Sequence, residues 1–198
     1  MKKTIPGMCV VGFMIFGALN CAFDAQEPPN NAPIAASTRA VSFSLSWAGI
    51  TPGTTKDHEL IRKYGKGLWL ENVGHTGGRA YITSDRSIVL IAELHEDEVD
   101  SITVASSSSV SDEIPHMKAV PIVPTLPNRA SFGGVHLGDG ADTVYKKLGP
   151  PVETAKSPNG RQLLTWEVDD SGTVDLAGGF SIVIVKGQVV AFIMYYGD

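Results

Sequence analysis

The densest group of residues able to do chemistry is the run HEDEVD at residues 95–100, which holds four carboxylates and one imidazole. Clustered carboxylates can bind calcium, but a calcium-binding loop needs ligands at alternating positions and a glycine at its sharp turn. The run has no glycine, and it separates two stretches rich in β-branched residues. We therefore predict the tip of a hairpin, where the charges of Asp97 and Glu98 are solvated.

The histidines do not form a metal-binding pattern. Two imidazoles that bind one zinc ion from a single helix need a spacing such as H-x-x-x-H or H-E-x-x-H. No pair in the sequence has this spacing, so we expect surface or turn positions, no metal and no other cofactor. The histidines are His58, His75, His95, His116 and His136.

Patterns for nucleophilic catalysis and phosphate binding are also absent from the sequence. It contains no G-x-S-x-G nucleophile turn, no S-x-x-K pair and no G-x-x-x-x-G-K-[ST] loop. The glycine clusters at residues 74–78 and 133–134 are instead typical of turns. We predict that the chain is not an enzyme and has no catalytic residues.

Aromatic side chains offer a different kind of site, a contact with another protein, because aromatic residues dominate the energy of such interfaces. Trp69 lies among glycines in the stretch GKGLWLENVG, so we expect it to be exposed. Tyr195 and Tyr196 are neighbours in a predicted strand and must point to opposite faces of the sheet. The predicted partner-contact residues are Trp69, Tyr195, Asp97 and Glu98.

Two short amphipathic helices are expected to position these residues. The first lies in GITPGTTKDHELIRKYGKG, residues 49–67, and the second in GVHLGDGADTVYKKLGPP, residues 134–151. Apolar residues recur on one helical face of each, and glycine ends both. Thr54 or Thr55 is the expected cap of the first helix, and Asp139 that of the second. The apolar positions are Leu60, Ile61 and Tyr64, and then Ala141, Val144, Tyr145 and Leu148.

Each helix is followed by stretches with strand character and by a hairpin, the second of which turns at Lys186-Gly187. The predicted fold class is α+β, with two tandem repeats, each a short helical segment followed by an antiparallel meander of three or four strands. Repeat 1 spans residues 41–106 and repeat 2 spans 131–198. A Ser/Pro-rich linker at 107–130 joins them, and the alternating stretch 41–47 is a half-buried strand.

The N-terminus is a predicted export signal, residues 1–25, with two lysines before the uncharged stretch CVVGFMIFGAL. Cleavage after Ala22 or Ala25 is one alternative. The other is lipidation of Cys21, because ALNC is similar to a bacterial lipobox. Residues 26–40 are rich in Pro, Asn and Ala and are predicted to form a flexible tether. The other cysteine, Cys9, also lies in the signal, so the rest of the chain contains no disulfide.

The chain has a formal charge of -5, which argues against nucleic acid as a partner because that role needs a basic face. The sequence also lacks the polybasic run that would attract it to anionic lipid. A membrane contact is therefore expected only through a lipid anchor.

The second half contains a G-x-x-x-G at Gly134 and Gly138, Leu148-Gly149-Pro150-Pro151 after a short helix, a strand with Trp166, and a hairpin that ends in VVAFIMYY. These motifs resemble the SmpA/OmlA-type domain, which occurs in small outer-membrane lipoproteins of the β-barrel assembly machinery. The tandem arrangement is similar to that of the β-lactamase inhibitor protein family, which is built from two helix-plus-sheet repeats.

The resemblance implies an exported, non-catalytic module that works through its surface. We expect a protein-binding adaptor or scaffold of the bacterial cell envelope, whose partner is another envelope or secreted protein. The expected location is the periplasm, with or without an outer-membrane anchor, or the exterior as a secreted protein. The alternative is a secreted or periplasmic enzyme inhibitor that inserts the hairpin of Asp97 and Glu98 into a cleft.

Overall fold

The computed structural model describes residues 24–25, 45–71, 73, 76–114, 116–168 and 177–197. Its helices are α1 (Asp57–Tyr64), α2 (Ser107–Val110) and α3 (Ala141–Leu148), with a 3-10 turn at Met117–Ala119. Its strands are β1 (Asp24–Ala25), β2 (Leu68–Leu70), β3 (Gly77–Ile82), β4 (Ile88–His95), β5 (Glu98–Ser106), β6 (Ser131–Phe132), β7 (Val135–His136), β8 (Glu153–Lys156), β9 (Gln162–Val168), β10 (Ala177–Val185) and β11 (Gln188–Gly197).

Nine of these strands form one sheet in the order β1-β8-β9-β10-β11-β5-β4-β3-β2, and β6 pairs with β7 in a separate small hairpin. Every pair of neighbours in the large sheet is antiparallel. The centre of the sheet is the pairing of β5 with β11, in a register that runs from Ala191 opposite Ala105 to Tyr195 opposite Ser101.

The predicted α+β class with two helix-plus-meander repeats is therefore wrong. The chain is a β-rich fold in which one continuous sheet carries short helices, none longer than eight residues among those described. The physical reason lies in the backbone. A separate meander ending at β5 would leave a row of unpaired N–H and C=O groups, and pairing β5 with β11 satisfies them.

Both faces of the sheet are covered in its middle, which explains the uninterrupted apolar run in β4. All but the last of its residues are buried, as expected for a strand with a core on each side. On the face that carries α1 and α3, here the helix face, aromatic residues of β9, β10 and β11 pack together, with Phe180 and Phe192 at 6.0 Å between ring centroids. The opposite face buries smaller side chains.

Four of the seven apolar side chains predicted to form the faces of the two eight-residue helices are buried, and Ile61 and Ala141 are half-buried. Leu60 and Tyr64 of α1, and Val144 and Leu148 of α3, are buried on the helix face, whereas Tyr145 is exposed. The predicted ends are confirmed, because the N–H of Gly65 donates to the Ile61 carbonyl and that of Gly149 to the Tyr145 carbonyl.

The predicted helix caps are wrong in both helices. Helix α1 begins after Lys56, whose N–H donates to Glu59 Oε2 at 3.1 Å, while the Thr55 hydroxyl accepts from Thr51 N–H instead. The Asp139 carboxylate accepts from the N–H of His136, in the loop before α3. In each case the side chain stabilises the preceding turn, which competes with the helix for the same oxygen.

The segment after β5 packs on the opposite face of the sheet. Helix α2 and the residues that follow bury Val110, Ile114 and Val120 there. Glu113 forms an ion pair with Arg161, the residue before β9. Burial raises the pKa of Glu113, and the guanidinium opposes this. This ion pair therefore joins the segment to the loop between β8 and β9.

The predicted signal, tether and early strand lie mostly outside the described residues. Only Asp24 and Ala25 of the signal are described, and they pair with β8 as strand β1. Of the predicted strand at 41–47, residues 41–44 are not described. Trp47 is buried and forms a bridge with Ile50 rather than part of a strand. Within the described part of the chain, no helix has the length and apolarity to span a membrane.

Candidate protein-binding surface

The acidic run at residues 95–100 forms the tip of the β4–β5 hairpin, as the sequence predicts. His95 pairs with Glu98, and the two residues between them make the turn. Glu96 has a φ of 56°, in the left-handed region, and its side chain and that of Asp97 are exposed. Because the tip is charged and solvated, it is available for contact.

This tip is held in place by the segment that leads into α1. The N–H of Asp57 donates to the Asp97 carbonyl at 2.9 Å, and the N–H of Val99 donates to the Thr55 carbonyl at 2.9 Å. An ion pair between Lys56 and Glu98 adds a side-chain link. The turn is therefore fixed in one geometry by backbone hydrogen bonds from a second element.

Trp69 is exposed, and it is held between two neighbours. It lies on β2, and 44% of its surface is accessible. The guanidinium of Arg79, opposite it on β3, lies 5.1 Å from the indole centroid, which is within range of a cation–π interaction. A Cβ on Gly77 would approach the indole to 2.5 Å, so only glycine leaves room for the ring there.

Arg79 joins Trp69 to the start of α1. Its Nε donates to Asp57 Oδ1 at 2.5 Å and its Nη2 to Asp57 Oδ2 at 2.7 Å, while Nη1 donates to the Lys66 carbonyl. The hydrogen bonds to Asp57 are the main reason that the pKa of Arg79 is raised. The guanidinium is thus fully oriented, and it in turn fixes the plane on which Trp69 packs.

Together these residues form one connected surface, which we call the α1 rim. It extends from the exposed indole of Trp69, through the ion pair of Arg79 with Asp57, to the acidic turn that backbone hydrogen bonds hold in place. Trp69 and the acidic turn lie far apart in the sequence, and the first turn of α1 brings them together. The α1 rim consists of Trp69, Arg79, Asp57, Asp97 and Glu98.

A cavity of about 260 Å³ opens beside the acidic turn. Its lining residues are mostly acidic and include Asp100, together with Lys56, His95 and Tyr196. The hydrogen bond that the Lys56 ammonium donates to the Glu98 carboxylate is the main reason that the pKa of Lys56 is raised. The lining offers hydrogen-bond acceptors in excess of donors, so it suits a group that donates hydrogen bonds.

Tyr195, the fourth predicted contact residue, lies elsewhere. It is on the opposite face of the sheet, where its ring lies directly over Gly179 and a Cβ on that residue would come within 1.9 Å of the ring. Burial raises the pKa of Tyr195, and the nearby carboxylates of Glu167 and Glu153 raise it further. Tyr195 is therefore not part of the α1 rim.

Asp57 and Arg79 are the members of the α1 rim that were not predicted from the sequence. Their pairing depends on the β2–β3 register, which sets Trp69 opposite Arg79, and on where α1 begins. The acidic first turn of the helix was visible in the sequence as DHE, and negative charge is favoured there. Its partner was not visible, because no local pattern joins a helix start to a later strand.

No group of three or more metal-binding side chains occurs within the described ranges. His58, His95, His116 and His136 are exposed, as predicted. His75 and the predicted lipidation site Cys21 lie outside the described residues.

Replacing Asp57 by Asn is expected to lower the free energy of unfolding by about 2 kcal/mol, because it leaves a largely buried guanidinium without its counter-charge. The side chains of Arg79 and Asp57 are 14% and 17% exposed. The measurement is urea denaturation followed by circular dichroism. The matched control is Arg62→Gln, which breaks the exposed pair with Glu59 and is expected to change stability by less than about 0.5 kcal/mol. Equal effects of the two substitutions would show that the Asp57–Arg79 pair is not structural.

Comparison of the chain with protein-family models, curated proteins and solved structures found no match.

Proposed function

We propose that this chain is an exported, non-catalytic protein-binding module of the bacterial cell envelope that acts as an adaptor or scaffold. The observation that carries the proposal is the α1 rim, where an exposed tryptophan is locked between Arg79 and Gly77 beside a braced acidic turn. An aromatic side chain that is already immobilised loses little entropy on binding, which favours affinity.

The location in this proposal comes from the N-terminal sequence. A charged start followed by an uncharged apolar stretch is typical of an export signal, and Cys21 is the proposed site of a lipid anchor. The resemblance of the second half to the SmpA/OmlA-type domain of envelope lipoproteins supports the same compartment. The proposed partner is an envelope or secreted protein. The net charge of -5 favours a partner that is not a nucleic acid.

Inhibition of an enzyme is the second candidate function, and the braced turn favours it. A loop that fills an active-site cleft must hold its shape without the enzyme, and the backbone bonds of Asp97 and Val99 to the segment before α1 supply that rigidity. In this role the turn inserts into the cleft, whereas in the adaptor role it forms the margin of a flat contact centred on Trp69.

The test is affinity capture with the immobilised full chain and a detergent-solubilised envelope extract. We expect one near-stoichiometric protein, identified by mass spectrometry, whose recovery falls at least about tenfold with Trp69→Ala, as for a central interface aromatic. The control is Tyr145→Ala, which removes a similarly exposed aromatic ring on α3, 40% accessible, and is expected to leave recovery unchanged.

The double substitution of Asp97 by Asn and Glu98 by Gln separates the two functions. Unchanged capture supports the adaptor, whereas loss of inhibition of a cell-wall or secreted hydrolase supports the inhibitor. A column that retains no protein, or equal recovery on the Trp69→Ala and Tyr145→Ala columns, would contradict the adaptor proposal.

A further inference from the structure

The large sheet ends in a short strand at each edge, β1 on one side and β2 on the other. At one edge, β8 is paired with the two-residue strand β1, with Asp24 opposite Lys156 and Ala25 opposite Ala155. At the other edge, no strand of the described chain pairs with the outer side of β2. Because backbone groups alternate in direction along a strand, at least one residue of Leu68–Leu70 directs its N–H and C=O away from β3.

A second segment continues this edge beyond β2. The N–H of Ile82, the last residue of β3, donates to the Pro121 carbonyl at 3.1 Å, and the N–H of Val123 donates to the Ile82 carbonyl at 2.8 Å. This is a parallel bridge between Ile82 and Ile122. In such a bridge the N–H and C=O of Ile122 point outward, so they extend the row of backbone groups available at the edge.

The side chains of the edge are apolar. Natural edge strands are protected by lysine, by other charges or by bulges, because an exposed apolar edge pairs readily with another chain. Strand β2 carries no charge, its Trp69 is 44% exposed, and Ile122 beside it is 47% exposed. We call the outward side of Leu68–Leu70 and Ile122 the apolar edge.

The geometry points to the apolar edge as the place where the partner adds an extended, uncharged, apolar segment as a further strand of the sheet. This inference rests on the proposed protein-binding function and names the kind of partner segment. Strand β1 provides the precedent within the molecule, since a short segment from outside the central strands already extends the opposite edge. Pairing with an edge strand is an established mode of peptide recognition.

The side chains of the edge define the composition of that segment. Trp69 lies opposite Arg79 on the helix face, whereas Ile122 is paired with Ile82, whose side chain is buried on the opposite face. Exposed apolar groups therefore border both faces of an added strand, so a continuous apolar run fits better than an alternating one. Since Arg79 is already paired with Asp57, an uncharged segment leaves no buried charge without a partner.

The test uses the full chain and the capped peptide Thr-Val-Ile-Val-Thr-Val, with binding measured by fluorescence polarisation of a labelled copy. We expect Trp69→Lys and Ile122→Lys each to weaken binding at least about tenfold, since a charge at an edge opposes pairing. The matched control is Val152→Lys, at an apolar residue that is 60% exposed near β8, and it is expected to bind as well as the unmodified chain.

Backbone pairing is tested with two further peptides, N-methylated at the odd or at the even residues. Only one set of amides faces the edge, so one peptide is expected to lose binding and the other to keep it. On peptide binding, hydrogen exchange is expected to slow at the amides of β2 and Ile122. The inference is overturned if the peptide does not bind at about 1 mM, if both methylated peptides bind equally, or if Ile122→Lys binds like Val152→Lys.

Two experimental outcomes distinguish strand addition at the apolar edge from the proposed adaptor function. A captured envelope protein that requires Trp69 but tolerates Ile122→Lys supports the adaptor and overturns strand addition. Peptide binding at the edge without any captured protein supports strand addition and counts against the adaptor.

Discussion

Truncation of Phe192 to Ala is expected to lower the free energy of unfolding by about 3–5 kcal/mol, the range for a fully buried phenylalanine. Phe192 is 0% exposed and lies on β11, opposite Val104 of β5, where the two halves of the sheet join. Its ring lies 4.9 Å from Phe132 and 6.0 Å from Phe180 between centroids, so the truncation leaves a cavity among aromatic rings that cannot close around it.

The same variant tests whether the chain unfolds as one body. Trp47 and Trp166 are buried in different halves of the sequence and in one core cluster. In a continuous sheet, Phe192→Ala shifts the urea midpoint reported by each tryptophan equally, measured in variants that retain one tryptophan at a time. Phe192→Leu is the control and is expected to cost less than about 1.5 kcal/mol. Separate midpoints, with only the Trp166 signal shifted, would contradict a single cooperative sheet.

Replacement of Glu93 by Gln is expected to remove a pH-dependent loss of stability of about 3 kcal/mol. Glu93 is 0% exposed on the opposite face of the sheet, in register with Ser101. Neither carboxylate oxygen has a hydrogen-bond partner among the described residues. Burial raises the pKa of Glu93 from 4.5 to about 7, while the adjacent Ser101 hydroxyl lowers it by less.

The direction of the effect follows from where the proton is held. Below about pH 4.5 the carboxyl is protonated in both the folded and the unfolded chain, and the stability that it contributes is complete. Between pH 4.5 and 7 the unfolded chain releases this proton and the folded chain keeps it. Stability therefore falls by about 1.4 kcal/mol per pH unit in this window, and above it the loss is constant.

The measurement is the difference in unfolding free energy between the wild type and Glu93→Gln, by urea titration from pH 4.5 to 8. Glu113 is present in both proteins, so its contribution cancels in the difference. The control is Glu167→Gln, at an exposed carboxylate on the same face, which is expected to stay within about 0.5 kcal/mol of the wild type. If the difference in unfolding free energy between the wild type and Glu93→Gln is constant over this pH range, the folded chain does not keep the proton on Glu93.

Local features of the fold could be predicted from the sequence because their causes are local. Gly65 and Gly149 end the two helices as predicted, and the Lys186-Gly187 turn, with φ values of 50° and 78°, joins β10 to β11 as predicted. The hairpin tip at Asp97 and the exposure of Trp69 have the same basis. In each case a few neighbouring residues decide the conformation.

The continuous sheet could not be predicted in this way. The pairing of β5 with β11 sets Ser101 opposite Tyr195, residues separated by nearly half of the chain, and no local pattern encodes it. The predicted helix caps were wrong for a related reason. The side chains of Thr55 and Asp139 can each accept from an N–H of the preceding turn or from an N–H of the helix, and the sequence does not show which one is used. The burial of Glu93 could have been predicted from the sequence, because its carboxylate lies inside the apolar run IVLIAEL, which forms a buried strand.

The strand order also determines how far the molecule reaches. Strands β1 and β2 are the first and last of nine, so eight spacings of about 4.8 Å place them roughly 38 Å apart across the sheet. The proposed lipid attachment site, Cys21, precedes β1 by three positions in the sequence. With the anchor proposed at that end, the apolar edge lies at the far side of the sheet from the attachment site. A partner bound there would be separated from the lipid anchor by the width of the sheet.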